Sequence, residues 1–187
     1  MPIMDVRYSA GGLVKATKAD LASRLTDVLI QMEGGANTPG GRAFAWVLFN
    51  ELAEEDFWVA GLPCQTPSGS ASSKFLVHIS IPEGYMNRTH KNEVHAWVAT
   101  AIREATGATE LSTSILTVID EVTEGNWGNQ GLPISLESIA ATVGQTEDGP
   151  RLAWSRRYFA AKARVMDSAG YPIDAGGLLP SLSPAGA

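Results

Sequence analysis

The sequence predicts an α+β (α/β) fold: two fused β-α-β units form one four-stranded sheet with two helices on one face, plus a C-terminal helical extension. Two observations support this prediction. The order strand, helix, strand occurs twice, and the two halves of the sequence align with each other. A third is a basic segment from Arg151 to Met166 with an apolar face, typical of a further helix. We therefore divide the chain into a first repeat over residues 1–62, a linker over 63–73, a second repeat over 74–146, and a basic helix with a flexible tail over 147–187.

The first repeat opens with a strand at residues 3–9, where β-branched and aromatic side chains end at two glycines. Apolar residues then recur at helical spacing, and the glycines at 34 and 35 supply the stop. Thr17 and Asp20 resemble a capping box for this helix. The segment 43–49 is apolar enough to predict a second strand that is buried on both faces. The apolar helix positions are Leu21, Leu25, Val28, Leu29 and Met32.

The second repeat has the same order, with a strand at 75–81, a helix that ends at Gly107 and a strand at 115–119. Its residues align with those of the first repeat at a separation of 73 residues up to the helix stop and of 70 residues in the following strand. A unit of this size cannot bury a sheet face alone, so we expect the two units to pair, with right-handed crossovers and parallel strands inside each. The open sheet face predicts a closed ring of subunits. The aligned pairs are Gly11 with Gly84, Lys18 with Lys91 and Gly34 with Gly107 at 73 residues, and Glu51 with Glu121 and Phe57 with Trp127 at 70.

Composition indicates a globular protein of the cytoplasm. The chain has 187 residues, 44% of them hydrophobic, but no apolar run of membrane-helix length and no signal-peptide order at its start. The net charge is −6, and residues 151–187 carry five basic and two acidic groups, which leaves −9 on the rest. This acidic body argues against nucleic-acid binding, and we expect no membrane partner. Cys64, the single cysteine, excludes an intrachain disulfide and is expected to be a surface thiol.

Three features together resemble the 4-oxalocrotonate tautomerase family and its fused, two-repeat relatives in the tautomerase superfamily. They are the opening Met-Pro-Ile, the duplicated β-α-β unit, and the segment 120–131, in which acidic residues precede Gly-x-aromatic-Gly-x-x-Gly. The likeness covers roughly residues 2–146. It implies a homotrimer, because three fused chains supply the six β-α-β units of such rings. It also implies an isomerase that acts on a small carbonyl or enol compound without a cofactor or metal.

The resemblance implies that Met1 is removed and that the nitrogen of Pro2 acts as general base, general acid or nucleophile. An α-amino group titrates at about 7.7–8.0 in model peptides, and burial beside cations lowers that pKa toward the working pH. If Met1 persists, the nitrogen of Pro2 is an amide without basicity.

The resemblance also places substrate-binding residues. The aromatic wall of the family pocket falls on Phe57 and Trp127, one in each repeat. The arginines that bind the substrate carboxylate in diacid tautomerases are absent, and Tyr85 stands at one of their positions. Arg42, just before the second strand, and Arg88, at the start of the second helix, are the substitute cations, although either could be a solvated surface charge.

Other functions on the same scaffold stay open. The histidine, arginine, tyrosine and glutamate positions of the cis-3-chloroacrylate dehalogenase branch hold Leu29, Pro82, Tyr85, Val118 and Asn129, so no water-activating carboxylate is in place. Proton shuttling is therefore favoured over dehalogenation or decarboxylation, and a non-catalytic oligomer is a further alternative. The basic extension either packs on the acidic body or a neighbouring subunit, or binds a partner, or contacts a membrane or nucleic acid.

Overall fold

The computed structural model describes residues 2–34, 37, 39–64, 73–108, 114–146, 148–172 and 175–183. Gly35, part of the predicted helix stop, and residues 65–72, most of the predicted linker, lie outside these ranges. The elements of the first repeat are strand β1 (Ile3–Ser9), helix α1 (Lys15–Met32), short helix α2 (Pro39–Ala43), strand β2 (Trp46–Leu52) and a small hairpin of β3 (Trp58–Val59) and β4 (Leu62–Pro63). The rest of the chain forms β5 (Lys74–Pro82), α3 (Arg88–Thr106), β6 (Ser114–Val122), a second hairpin of β7 (Gly128–Asn129) and β8 (Leu132–Pro133), α4 (Leu136–Thr142) and α5 (Pro150–Ser168).

The two repeats share one four-stranded sheet in the order β2-β1-β5-β6. Within each repeat the strands are parallel, with Ile3 opposite Trp46 and Lys74 opposite Ser114. The central strands β1 and β5 are antiparallel, so the two repeats run in opposite directions. The predicted fold class is confirmed, including the parallel pairing inside each unit.

The core lies between the sheet and the pair of helices α1 and α3, which pack against each other. Alternate residues of β1 and β5 are fully buried on that face. The prediction that β2 is buried on both faces is wrong for the single chain. Trp46 and Leu48 on its outer face are 52% and 49% exposed, because the helices cover only the other face. The buried helix positions include Leu21, Leu25, Leu29, Val94, Val98 and Ile102.

One polar contact explains why the repeats align at particular residues. The carboxylate of Glu51, near the end of β2, accepts hydrogen bonds from the amide of Gly11 at 2.8 Å and from Lys18 Nζ at 3.1 Å. This contact joins the loop after β1, the first turns of α1 and the end of β2. The corresponding contacts in the second repeat, at 3.3 and 2.7 Å, join Glu121 to Gly84 and Lys91.

Three local predictions are corrected. Helix α1 begins at Lys15, after Val14, and no described side chain caps it, so Thr17 and Asp20 do not form a capping box. The second strand starts at Trp46 rather than at 43, because residues 39–43 form a helical turn. Cys64 is buried rather than at the surface; it directly follows β4, and its amide donates to the carbonyl of Phe57.

The C-terminal extension packs on the acidic body, which is one of the three alternatives considered. Phe159 of α5 is fully buried, and Lys162 forms an ion pair with Glu83 at 2.7 Å. The tail beyond α5 returns to the body, where Leu179 is fully buried and the amide of Gly177 donates to the carbonyl of Glu124. Of the helices described, none has the length and apolar character that crossing a membrane requires.

Candidate functional site

The four strands bring the predicted catalytic residue to one end of the sheet. We call this the Pro2 end: β1 and β2 begin there, at Ile3 and Trp46, and β5 and β6 end there, at Pro82 and Val122. Pro2 precedes β1, is buried, and accepts a hydrogen bond on its carbonyl from the amide of Trp46 at 3.4 Å. Its position directly before a paired strand, with this hydrogen bond, holds the residue in place, as an acid–base group requires.

Tyr85 lies at the same end, three residues after β5. Its hydroxyl donates to the carbonyl of Glu33 at 2.8 Å and lies 2.6 Å from Nε2 of Gln145. The same amide group of Gln145 donates to the Glu33 carbonyl at 2.6 Å. Burial raises the pKa of Tyr85 far above its ordinary value, so the side chain stays a neutral phenol. Tyr85 is thus positioned as a hydrogen-bonding group and not as an acid.

Beside Tyr85 stand a buried carboxyl group and an arginine. Glu33, which follows α1, is only 3% exposed; burial raises the pKa of its carboxyl, and the charge of Arg151 acts in the opposite direction. Arg151, in the first turn of α5, donates to the carbonyl of Met32, and its guanidinium lies 5.9 Å from the centroid of the Tyr85 ring. The Pro2 end therefore carries a cation, although no arginine of the two repeats occupies the family positions.

The two predicted aromatic residues lie at opposite ends of the sheet. Trp127 follows β6 and so lies at the Pro2 end, 8% exposed, with an indole N–H that none of the described residues accepts. Phe57 follows β2 and lies at the far end, half-buried. Both hold equivalent hairpin positions, since the carbonyl of Phe57 accepts from Cys64 at 2.7 Å and that of Trp127 from Ile134 at 3.0 Å. One chain alone does not bring Phe57 and Pro2 together.

The two predicted cations are both exposed. Arg42 on α2 places Nη1 3.1 Å from Oδ1 of Asp27 and 3.1 Å from Oδ1 of Asn37, so its charge faces the outer side of α1. Arg88 is the first residue of α3 and points to solvent. Neither arginine makes a described hydrogen bond to the group of residues around Tyr85, which are Glu33, Gln145 and Arg151.

Sequence reasoning missed Glu33, Gln145 and Arg151. Glu33 stood beside a glycine stop and looked like a helix end, and the other two lie near or beyond the end of the family likeness. A signal was present for Arg151 alone, in the basic character of the extension. The described residues contain no group of three or more His, Cys, Asp or Glu side chains placed to hold a metal ion.

The fold is shared with solved structures of fused 4-OT proteins and of a cis-3-chloroacrylic acid dehalogenase family member. No protein-family model and no curated protein sequence matches this chain. Among solved structures, Pt0534 inactivated by 2-oxo-3-pentynoate is 21% identical, with a TM-score of 0.55 over 73% of this chain and 98% of that one. The F6 fused 4-OT wild-type asymmetric trimer is 20% identical, with a TM-score of 0.54 over 76% of this chain and 99% of that one. N1, a member of the cis-3-chloroacrylic acid dehalogenase family, is 16% identical, with a TM-score of 0.55 over 89% of this chain and 96% of that one.

These similarities confirm the resemblance at the level of the fold: two fused β-α-β units arranged as in the fused 4-OT proteins.

Proposed function

We propose that this chain is a cofactor-independent tautomerase in which Pro2, exposed by removal of Met1, moves a proton on a small carbonyl or enol substrate. The observation that carries the proposal is the position of Pro2, buried at the sheet end where the Tyr85, Glu33 and Arg151 side chains also lie. The fold of the fused 4-OT proteins supports it.

The chemistry conserves all atoms of the substrate. The Pro2 nitrogen takes a proton from the carbon next to the carbonyl, and the C–H electron pair becomes the double bond of an enolate. The carbonyl oxygen gains negative charge, which a cation or hydrogen-bond donor stabilises. The protonated nitrogen then delivers its proton to another carbon and is neutral again.

Arg151 replaces Arg42 as the cation we assign to this reaction. Arg42 is held by Asp27 on the outer side of α1, whereas Arg151 packs on Tyr85 beside the Pro2 end. A cation at this place lowers the pKa of a nearby amine, so that more of the Pro2 base is neutral at working pH. It also attracts an enolate.

We propose a homotrimer, as in the fused 4-OT trimers. The outer face of the sheet supports this, because Trp46, Leu48 and Leu116 form an exposed apolar surface there. In such a ring a neighbouring chain would supply Phe57 to the Pro2 end, where Trp127 comes from the same chain. Light scattering coupled to size exclusion measures the state directly, and a monomer would rule out a shared pocket.

The test is ketonisation of phenylenolpyruvate by the wild type, by Pro2→Ala and by Pro133→Ala, a control in an exposed hairpin strand. Removing the positioned secondary amine is expected to lower kcat/KM about 10²-fold, the scale of general-base catalysis. The control keeps the wild-type rate. Equal rates in all three proteins would remove Pro2 from the mechanism, and circular dichroism verifies that each variant is folded.

Glu33 favours one second candidate, hydrolytic dehalogenation of a 3-haloacrylate. The sequence showed no water-activating carboxylate at the family position, but the structure buries one at the Pro2 end. In this reaction the carboxylate takes a proton from water, the oxygen adds to the halogenated carbon, and halide departs. Halide release by the wild type and its loss in Glu33→Gln would favour this candidate, and no release would exclude it.

A further inference from the structure

A cavity of about 360 Å³ lies between the start of α3 and the first two turns of α5. Its apolar walls come from Tyr85, Pro150 and Trp154. Its polar groups come from Asn87, His90, Arg151 and Arg157. Four of the lining residues belong to α5, in the extension outside the duplicated units. They are Pro150, Arg151, Trp154 and Arg157. The volume falls in the range of small-ligand sites, about 300–1,000 Å³.

The cavity is positively charged. Arg151, Trp154 and Arg157 follow each other at three-residue intervals on one helix, which places them along one face. Among the described residues, no carboxylate lines the cavity. The charge of Arg151 is partly balanced by Glu33, but Arg157 has no ion pair in the part of the chain that the structure describes.

His90 adds an unused hydrogen-bonding group. Its Nδ1 is buried, and none of the described residues is bonded to it. Burial, followed by the charge of Arg151, lowers the pKa of this imidazole, against the opposing charge of Glu93 one turn away. The ring is therefore neutral at neutral pH and adds no third positive charge to those of Arg151 and Arg157.

The backbone supports an anion at the same place. His90 is in the first turn of α3, whose amino end carries the positive end of the helix dipole, and Asn87 caps it by accepting from the His90 amide at 3.0 Å. The guanidinium of Arg157 presents the planar set of donors that matches a carboxylate. The Trp154 ring stacks on Tyr158 at 5.6 Å, which holds one flat wall in place.

We propose that this cavity binds a small organic carboxylate with a planar apolar body. The guanidinium groups take the carboxylate, and the aromatic and proline walls enclose the carbon part. This second feature separates the ligand from a simple inorganic anion, which would leave the apolar walls uncovered. The cavity shares Tyr85 and Arg151 with the proposed Pro2 site, but its test does not depend on the Pro2 reaction, since binding is measured without turnover.

The experiment is calorimetric titration of the full-length protein with three probes: benzoate, benzamide of the same shape without charge, and inorganic phosphate. We expect heat of binding for benzoate only. Arg157→Gln is expected to weaken benzoate about tenfold, which is the loss of one charge-assisted hydrogen bond of about 1.4 kcal/mol. Arg164→Gln, an exposed arginine of the same helix that does not line the cavity, is the matched control and keeps the wild-type affinity.

A second variant, Trp154→Leu, removes the flat wall and is expected to weaken benzoate without creating phosphate binding. Benzoate that fails to bind the wild type, equal binding of benzoate and benzamide, or equal losses in Arg157→Gln and Arg164→Gln would each overturn the proposal. Phosphate that binds as well as benzoate would overturn the assignment to an organic acid. The Pro2→Ala variant is expected to bind benzoate normally, so failure of the tautomerase proposal leaves this result unchanged.

Discussion

Gly84 and Gly11 offer a matched test of how the C-terminal helix docks. They hold equivalent positions in the two repeats, and both have left-handed backbone angles, φ +68 and +72. An alanine at either position loses about 1–2 kcal/mol from the backbone conformation alone. The two sites differ in what an added methyl group meets.

At Gly84 the new Cβ would lie 2.6 Å from Cδ1 of Tyr158 and 2.8 Å from Cε2 of Phe159, whereas at Gly11 no described atom lies within 4 Å. Both rings belong to α5, and Phe159 is fully buried, so the contact with Phe159 cannot be relieved by rotation into solvent. Overpacking of this kind costs about 1–3 kcal/mol beyond the backbone term. Gly84→Ala should therefore lose about 1–3 kcal/mol more stability than Gly11→Ala.

Thermal unfolding of both variants at one protein concentration measures the difference, because the stability of an oligomer depends on concentration. Each kcal/mol corresponds to about 2–4 °C in Tm for a chain of this size. Equal Tm values for the two variants would refute the docking of α5 on the loop after β5, and with it the placement of Arg151.

Three further predictions concern the site and the ring. Tyr85→Phe removes a buried hydroxyl that bonds to Glu33 and is expected to cost about 1 kcal/mol in thermal unfolding, while exposed Tyr171→Phe costs nothing measurable; equal effects would contradict the network. Because burial raises the pKa of Glu33 above 4.5, its contribution to stability is full below pH 4.5 and falls as the pH rises through the folded-state pKa. Glu33→Gln should therefore flatten the plot of stability against pH and be more stable, relative to the wild type, above that window than below it. A curve that stays parallel to that of the wild type would contradict a raised pKa for Glu33. Trp46→Asp, on the outer sheet face, should dissociate the proposed trimer in light scattering, whereas Val165→Asp, at an exposed position of α5, should leave it intact; a trimer in both would place the interface elsewhere.

The fold was predictable because duplication repeats the same local signals. The offsets that align Gly11 with Gly84 and Lys18 with Lys91 correspond to a contact that each repeat makes with its own strand-end glutamate. Local patterns were less reliable where tertiary structure decides. The Thr17 pattern failed because the helix starts two residues earlier, at Lys15.

The site was only partly predictable because its members are far apart in the chain. Pro2 and Tyr85 were found through the family likeness, but Glu33, Gln145 and Arg151 meet Tyr85 only after folding. A sequence pattern of one helix or strand cannot report such contacts. The outer face of β2 shows the same effect, since its apolar residues looked like core and are exposed in a single chain.

Peptide mass mapping after incubation with 2-oxo-3-pentynoate, the compound that inactivates Pt0534, tests the central claim most directly. The Pro2 nitrogen would add to the alkyne carbon conjugated with the ketone, so the adduct retains every atom of the reagent. The prediction is an amino-terminal peptide that begins at Pro2 and carries the single adduct, in the wild type and in Cys64→Ser alike. A peptide that begins at Met1, or an adduct confined to another residue, would contradict catalysis by Pro2.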